Sequence, residues 1–216
     1  MPDRMIDHLY KKMPWDLLDN VVFDIGDVLV AMKEQEVLEK MFPDPVLRSA
    51  VQLHTTRSPY WSMWDEGVLD TEECVEAMSE GDPALLEPVR RFITGWPDER
   101  FVVEEGRCAV LACRRHGKKL YILSNYRGEY YDRNVRDYSF FSLFDGAVIS
   151  SRVRKLKPRF EIYRHLVDTY RLDPARTLFI DDSPANIAAA LDFGMHGFCF
   201  NAPGKLSAFI GDTGAD

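Results

Sequence analysis

Long apolar runs are missing from this chain. None approaches the roughly 20 residues that a bilayer-spanning helix needs, and the opening stretch MPDRMIDHLYKKMPWDLLDN is too charged for a secretory leader. A cytoplasmic protein with no membrane partner is expected. Cysteine is sparse: the four, Cys74, Cys108, Cys113 and Cys199, form no CxxC pair, so neither a zinc cluster nor a disulfide scaffold is expected and reduced core thiols remain. Basic charge is in deficit as well, 27 Lys and Arg against 35 Asp and Glu, a net −8. Such a surface has no broad attraction for nucleic acid or an anionic membrane, and an anionic ligand would need cations placed locally. Low-complexity tracts and internal repeats are absent too, which argues against disordered and solenoid classes.

What is present is a 216-residue chain, 46% hydrophobic and 29% charged, long enough for one α/β domain with a smaller insertion. The first 19 residues alternate charge with Leu, Met and Trp and suggest a short helix laid on the surface. NVVFDIG then reads as a strand buried on both faces and ended by a Gly turn. Residues 31–103 change character: MKEQEVLEKMF, PVLRSAVQLH, TEECVEAM and PALLEPVRRFITGW have helical spacing, with breaks at Pro43, Pro45, Pro59, Gly67, Gly81 and Pro83. From residue 104 onward KKLYILSN, GAVISS, RTLFIDDS and HGFCFN read as strands alternating with helices. Strands joined in this way form right-handed crossovers in a parallel sheet covered on both faces. The expectation is a doubly wound, Rossmann-like α/β core, residues 1–30 and 104–216, with a helical cap, residues 31–103, inserted after the first strand. No feature calls for a particular oligomeric state.

In such sheets ligands sit beyond the carboxyl ends of the strands. Three strands end in polar groups there: VVFD at Asp24, YILS at Ser124 and LFIDD at Asp181 and Asp182. That much negative charge in a partly buried cleft calls for a cation. Oxygen ligands from Asp24, Asp181 or Asp182, with a backbone carbonyl and waters, suit octahedral Mg²⁺, whereas no His or Cys is near enough in pattern for zinc. Ser124 and Asn125 open a strand-to-helix turn whose hydroxyl and free N–H groups suit a phosphate. Lys157, in RKLKP, can neutralise phosphate and carboxylate alike. A metal, a lysine, a phosphate cradle and a carboxylate free to attack together make a phosphoryl-transfer site.

FDIGDVLV, ILSN, the Lys157–Pro158 pair and FIDDSPANI resemble, in order and spacing, the four motifs of the haloacid dehalogenase (HAD) superfamily. The first motif is most similar to the branch reading FDxGxVL, which includes sugar phosphate phosphatases such as bacterial glucose 1-phosphatase, and WDEGVLDTEE resembles that branch's cap segment. The resemblance implies a Mg²⁺-dependent phosphatase acting on a small phosphorylated metabolite, favouring sugar phosphates. It implies Asp24 as the nucleophile that becomes an aspartyl phosphate, and Ser124 with the Asn125 amide on the transferring group. Lys157 would steady both charges, Asp182 would ligate the metal with Asp181 beside it, the Gly26 carbonyl would complete the metal set, and Asn186 would brace the acidic loop. A dehalogenase attacking carbon and a catalytically weak binding domain are the rivals; the acid pair of IDDS argues for metal and against the first.

One departure stands out. Most phosphatases of this superfamily carry an acid two residues after the nucleophile, to move a proton, and here that position is Gly26. Asp27, a cap residue such as His54, Asp65 or Glu66, and water are the replacements to weigh. The aromatic run YWSMW, Tyr60–Trp64, either walls a substrate pocket or packs the cap.

Overall fold

The charged leading segment folds back onto the core. In the computed structural model, which describes residues 5–211, it forms a one-turn helix, α1 (Ile6–Leu9), and a 3₁₀ turn at Trp15–Leu17. Ile6, Met13 and Leu18 are thereby buried against the sheet, so the segment is tied down rather than merely laid on the surface. Residues 1–4 of that expected helix lie outside the described residues.

Seven strands follow: β1 (Asn20–Phe23), β2 (Val30–Ala31), β3 (Phe101–Val102), β4 (Lys119–Ser124), β5 (Gly146–Ile149), β6 (Thr177–Asp181) and β7 (His196–Cys199). Five of them make one sheet in the order β5-β4-β1-β6-β7, every pair parallel. This is the doubly wound core expected from the alternation. The two-residue strands β2 and β3 pair antiparallel, Val30 with Val102 and Ala31 with Phe101, so the chain leaves and re-enters the core at adjacent points.

Between those points run α2 (Glu34–Met41), α3 (Pro45–His54), α4 (Pro59–Glu66), α5 (Thr71–Ser79) and α6 (Pro83–Gly95). Three of the prolines read as breaks are starts. Asp44, Ser58 and Asp82 accept from the backbone N–H two residues on and Pro45, Pro59 and Pro83 occupy the first turn, where a missing N–H costs nothing. Helix α4, hidden in the aromatic run, is a helix the periodicity missed. These helices bury Trp64, Met78, Val89 and Ile93 in one cluster and Leu38, Val51 and Phe92 in another.

The remaining helices are α7 (Glu104–Arg115), α8 (Gly128–Asp137), α9 (Ser150–Val153), α10 (Phe160–Tyr170), α11 (Pro184–Phe193) and α12 (Lys205–Ile210). Strand alternation sorts the core into two layers. Val21, Phe23, Ile122 and Ile180 pack under α7 and α12, while Val22, Leu123 and Phe179 pack under α10 and α11. A one-residue slip would exchange these sets, so the register is firmly specified. That register sets Phe23 beside Ile122 and Ile180, so Asp24 and Asp181 come out level and Ser124 one residue further along the same edge. GAVISS ends as a strand at Ile149, and its two serines open α9.

Candidate active site

One residue past β1, Asp24 is buried, its N–H bonded to the Ile180 carbonyl and its Oδ1 accepting from the Ile25 N–H at 2.7 Å. Lys157 Nζ stands 2.8 Å from Asp24 Oδ1 and 2.7 Å from Asp181 Oδ2. The lysine is fixed from its backbone outward. Asn125 donates from Nδ2 to the Lys157 carbonyl at 2.9 Å and accepts the Lys157 N–H at 2.8 Å, ahead of a cis peptide to Pro158. Its ammonium lies 5.3 Å from the centre of the Phe179 ring, and Ser124 is buried at the end of β4, close enough to Asp24 to oppose the rise of its carboxyl pKa. Asp24, Ser124, Asn125, Lys157 and Asp181, drawn from separate strand ends, thus form one contiguous group.

Asp181 is fully buried and its acceptor positions are filled. Oδ1 takes the Ser183 N–H at 2.8 Å and Asn186 Nδ2 at 3.0 Å; Oδ2 takes Lys157 and, at 3.1 Å, Asn186 again. Tyr163 donates to the Asn186 carbonyl at 2.9 Å and so ties α10 to the start of α11. Asp182, half-buried, completes the acidic group: one oxygen from each of Asp24, Asp181 and Asp182 lies within 4.8 Å of the others.

Three carboxylates against one ammonium leave an excess of negative charge in a buried place. Burial pushes the Asp24 carboxyl up to about 7, with the Asp181 charge adding and Lys157 and Ser124 opposing. Burial likewise pushes Asp182 up to about 6, helped by the charges of Asp181 and Asp27. For Lys157 burial works against the ammonium, but Asp24 and Asp181 outweigh it and hold the pKa above the ordinary lysine value. Clustered hard oxygen donors short of positive charge fit a divalent cation such as Mg²⁺.

Beside this group lies a cavity of about 250 Å³, walled by Trp61, Trp96, Tyr126 and Tyr130 and open to Gly26 and Asp65. The aromatic run thus does both things weighed for it: Trp61 faces the cavity while Trp64 is fully buried in the packing of the helices. The three cap acids and bases weighed as proton carriers separate here. His54 Nδ1 is engaged with the Met78 carbonyl at 2.9 Å, and Glu66 is held in a two-point ion pair by Arg159, 2.6 and 3.2 Å. Asp65 lines the cavity, and so does Asp27.

Sequence reading missed Arg127 and Ser150, which join α4 to the core. Arg127 Nη1 donates to the Trp64 carbonyl at 2.7 Å, its guanidinium 5.3 Å from the Trp64 ring centre, and Ser150 Oγ donates to the Asp65 carbonyl at 2.5 Å. Gly67 closes this seam with φ +76°, and a Cβ on it would stand 2.5 Å from the Ser151 carbonyl oxygen. Gly67→Ala is expected to lower the urea midpoint markedly. The left-handed backbone alone costs about 1–2 kcal/mol, and the clash adds to it. Gly81→Ala is the control: φ is again +76° but nothing lies within 4 Å of its Cβ, so it carries the backbone cost only. Equal midpoints for the two variants would show that the seam yields freely.

The family model for haloacid dehalogenase-like hydrolases matches residues 18–194. The chain is 24% identical over 185 residues, 82% of its own length and 86% of the relative's, to sesquiterpene phosphatase astK of Aspergillus oryzae. It is 37% identical to flavin mononucleotide hydrolase 1 of Arabidopsis thaliana over 60 residues, 28% of this chain and 24% of that one, so the shared stretch spans about a quarter of that hydrolase. In fold it is similar to HAD family enzyme bt-2542 of Bacteroides thetaiotaomicron, with TM-score 0.67 at 18% identity over 88% of this chain and 97% of that one. The complex of that enzyme with magnesium and inorganic phosphate gives TM-score 0.66 at 19% identity over 84% and 93%.

Proposed function

This chain belongs to the haloacid dehalogenase-like hydrolases, and from that premise we propose that it is a Mg²⁺-dependent phosphatase of small phosphate monoesters, working through an aspartyl phosphate. The observation that carries the reading is the Lys157 ammonium held between Asp24 and Asp181, with Asp182 within reach and a cavity alongside. Asp24 and Asp182, with the Gly26 carbonyl, would hold the metal, since Asp181 already has its acceptors filled. When bound, Mg²⁺ offsets the charge that keeps an anionic ester away from an anionic attacker.

The residues do the rest. Lys157 and Ser124 receive the phosphate oxygens, and the Asn125 side chain keeps the Lys157 backbone in place while they do so. Asp24 attacks phosphorus in line with the leaving oxygen, and water then cleaves the aspartyl phosphate. Residues 31–103 act as a cap over the core, limiting substrate size and excluding water. The indole and phenol walls suit the flat face of a sugar ring or an unsaturated apolar chain, so the substrate class runs from sugar phosphates to prenyl-type phosphates. No helix among the described residues is long and apolar enough to cross a membrane, and the four cysteines are free thiols, which supports a cytoplasmic setting.

The test is phosphate release from a panel of sugar, prenyl and flavin phosphates. Turnover that needs Mg²⁺, stops with EDTA and returns with excess Mg²⁺ is the expected result. Turnover indifferent to EDTA, or halide release from 2-haloacids in its place, would overturn the reading.

A further inference from the structure

We propose that the Asp65 carboxyl, in the last turn of α4, is the general acid and base of this reaction and replaces the side chain that Gly26 lacks. The inference rests on the aspartyl-phosphate reading above and adds the proton carrier to it.

The vacancy itself is visible. A Cβ built on Gly26 meets nothing within 4 Å, so the place where an acid would stand is open to the cavity. Six side chains able to carry charge or a proton line that cavity: Asp27, Asp65, Arg100, Tyr126, Arg127 and Tyr130. The two guanidiniums keep their protons at any working pH. Tyr130 gives its hydroxyl proton to the Ile93 carbonyl at 2.9 Å. The Tyr126 hydroxyl accepts from Asn134, and burial pushes its pKa up to about 12. Two carboxyls remain.

Their surroundings differ. Asp27 sits in left-handed backbone at φ 53°, and it also lines a separate groove with Glu105 and Asp182, where its charge acts on Asp182. It belongs to the metal flank. Asp65 lines the cavity together with Gly26 and Asn125 and takes no part in the groove that holds Asp182, and the charges of Asp24 and Lys157 reach it, which sets it on the opposite flank from Asp182. It is also held by the core rather than by the cap alone: Arg127 grips the carbonyl before it, Ser150 its own carbonyl, and Arg159 the next side chain. A group that transfers a proton needs such fixed placement.

Its protonation state suits the role. Burial raises the carboxyl to about 8; Arg127, the Trp61 hydrogen bond and Lys157 oppose this and the Asp24 charge adds to it. The other ionisable neighbours, Cys74 and Tyr126, are both pushed up to about 12 and stay neutral. Near pH 7 Asp65 is therefore a neutral acid, able to donate.

The proton balance closes over two steps. As an Asp24 oxygen bonds to phosphorus and the ester P–O bond breaks, the Asp65 proton passes to the departing oxygen, which leaves as an alcohol. Asp65, now a carboxylate, takes a proton from water as the water oxygen bonds to phosphorus and the Asp24 P–O bond breaks. Inorganic phosphate leaves, and both carboxyl groups return to their starting states.

Two nearly isosteric probes separate this role from a structural one: p-nitrobenzyl phosphate, whose alkoxide needs a proton to leave, and p-nitrophenyl phosphate, whose phenolate does not. Asp65→Asn, which keeps an acceptor for Trp61, is expected to cut kcat/KM for the benzyl ester by about 10²- to 10⁴-fold and for the phenyl ester by less than about tenfold. With the phenyl ester it should release a burst of nitrophenol before slow turnover, because the aspartyl phosphate then waits for a base. The parent's kcat/KM for the benzyl ester should fall as pH rises past about 8, and this limb should vanish in the variant. Asp65→Glu keeps an acid in place, and Gly26→Asp in the Asp65→Asn background restores one at the open position; each should recover part of the benzyl activity. Equal losses on both esters with no burst, or no loss on either, would overturn the inference while leaving the phosphatase reading intact. A parent inert on both esters with Mg²⁺ would overturn that reading and this inference with it.

Discussion

Lys157→Met is expected to be the most destabilising single substitution at the site, costing about 3–5 kcal/mol of stability near neutral pH and at least about 10²- to 10³-fold in turnover. The ammonium is the direct positive partner of two buried carboxylates, at 2.8 Å from Asp24 and 2.7 Å from Asp181. Methionine fills similar volume against Phe179 but leaves both acids unpaired. The loss should depend on pH in a definite direction. The lysine's folded pKa is raised, so its contribution persists to alkaline pH; the acids decide the window. Burial already raises the Asp24 carboxyl and Lys157 opposes that rise; without the ammonium the opposition is gone, and a carboxyl with a raised folded pKa contributes stability at low pH that is lost as pH rises through that value. Urea unfolding should therefore find the variant closer to the parent at pH 5 than at pH 8. Asp181→Asn added to Lys157→Met should recover part of the loss, and the double-mutant cycle gives the coupling. A destabilisation equal at both pH values would show that Lys157 acts through packing and not through charge.

Much of this arrangement is legible along the chain because parallel strands announce themselves twice. NVVF, KLYILS and TLFID are apolar runs too short for helices; KLYILS and TLFID end on a polar residue and NVVF one residue before it, and the register then gathers Asp24, Ser124 and Asp181 at one edge. Where local pattern gives out, the reasons are physical. A proline carries the same letter whether it breaks a helix or starts one; Asp44, Ser58 and Asp82 in the preceding position distinguish the cases, and reading that pair of residues would have revealed α4. The strands β2 and β3 are two residues each and draw their identity from one another across about 70 positions, which no window detects. Choosing Asp65 from among His54, Asp65 and Glu66 depends on Arg127, Ser150 and Arg159, and those contacts exist only once α4 meets the core. Adjacent acids, too, look alike in FIDDS. Only the structure shows Asp181 with its acceptors filled and Asp182 half-buried.

Asp24→Asn is expected to lower turnover on the order of 10⁴- to 10⁶-fold, the scale seen when a covalent nucleophile is removed, and at the same time to make the metal-free protein more stable above pH 7. The two effects share one cause. Burial, with Asp181 close by, raises the Asp24 carboxyl to about 7 from an ordinary value near 3.8. A carboxyl raised in this way favours the fold below the unfolded value, and that contribution is lost as pH climbs through the folded one. Asparagine has no charge to hold and its carbonyl can still accept from Lys157, which keeps Asp181 as its ionic partner. The stability difference between variant and parent should thus grow between about pH 4 and pH 7 and level off beyond. Mg²⁺ supplies the check. In the parent it should raise the melting temperature, more at pH 8 than at pH 5, because its carboxylate ligands must be ionised to bind; in the variant most of that rise should disappear. A variant that melts below the parent at pH 8 without metal would mean that Lys157 outweighs burial at Asp24, and that the Asp24 carboxylate rests in a favourable site instead of a strained one.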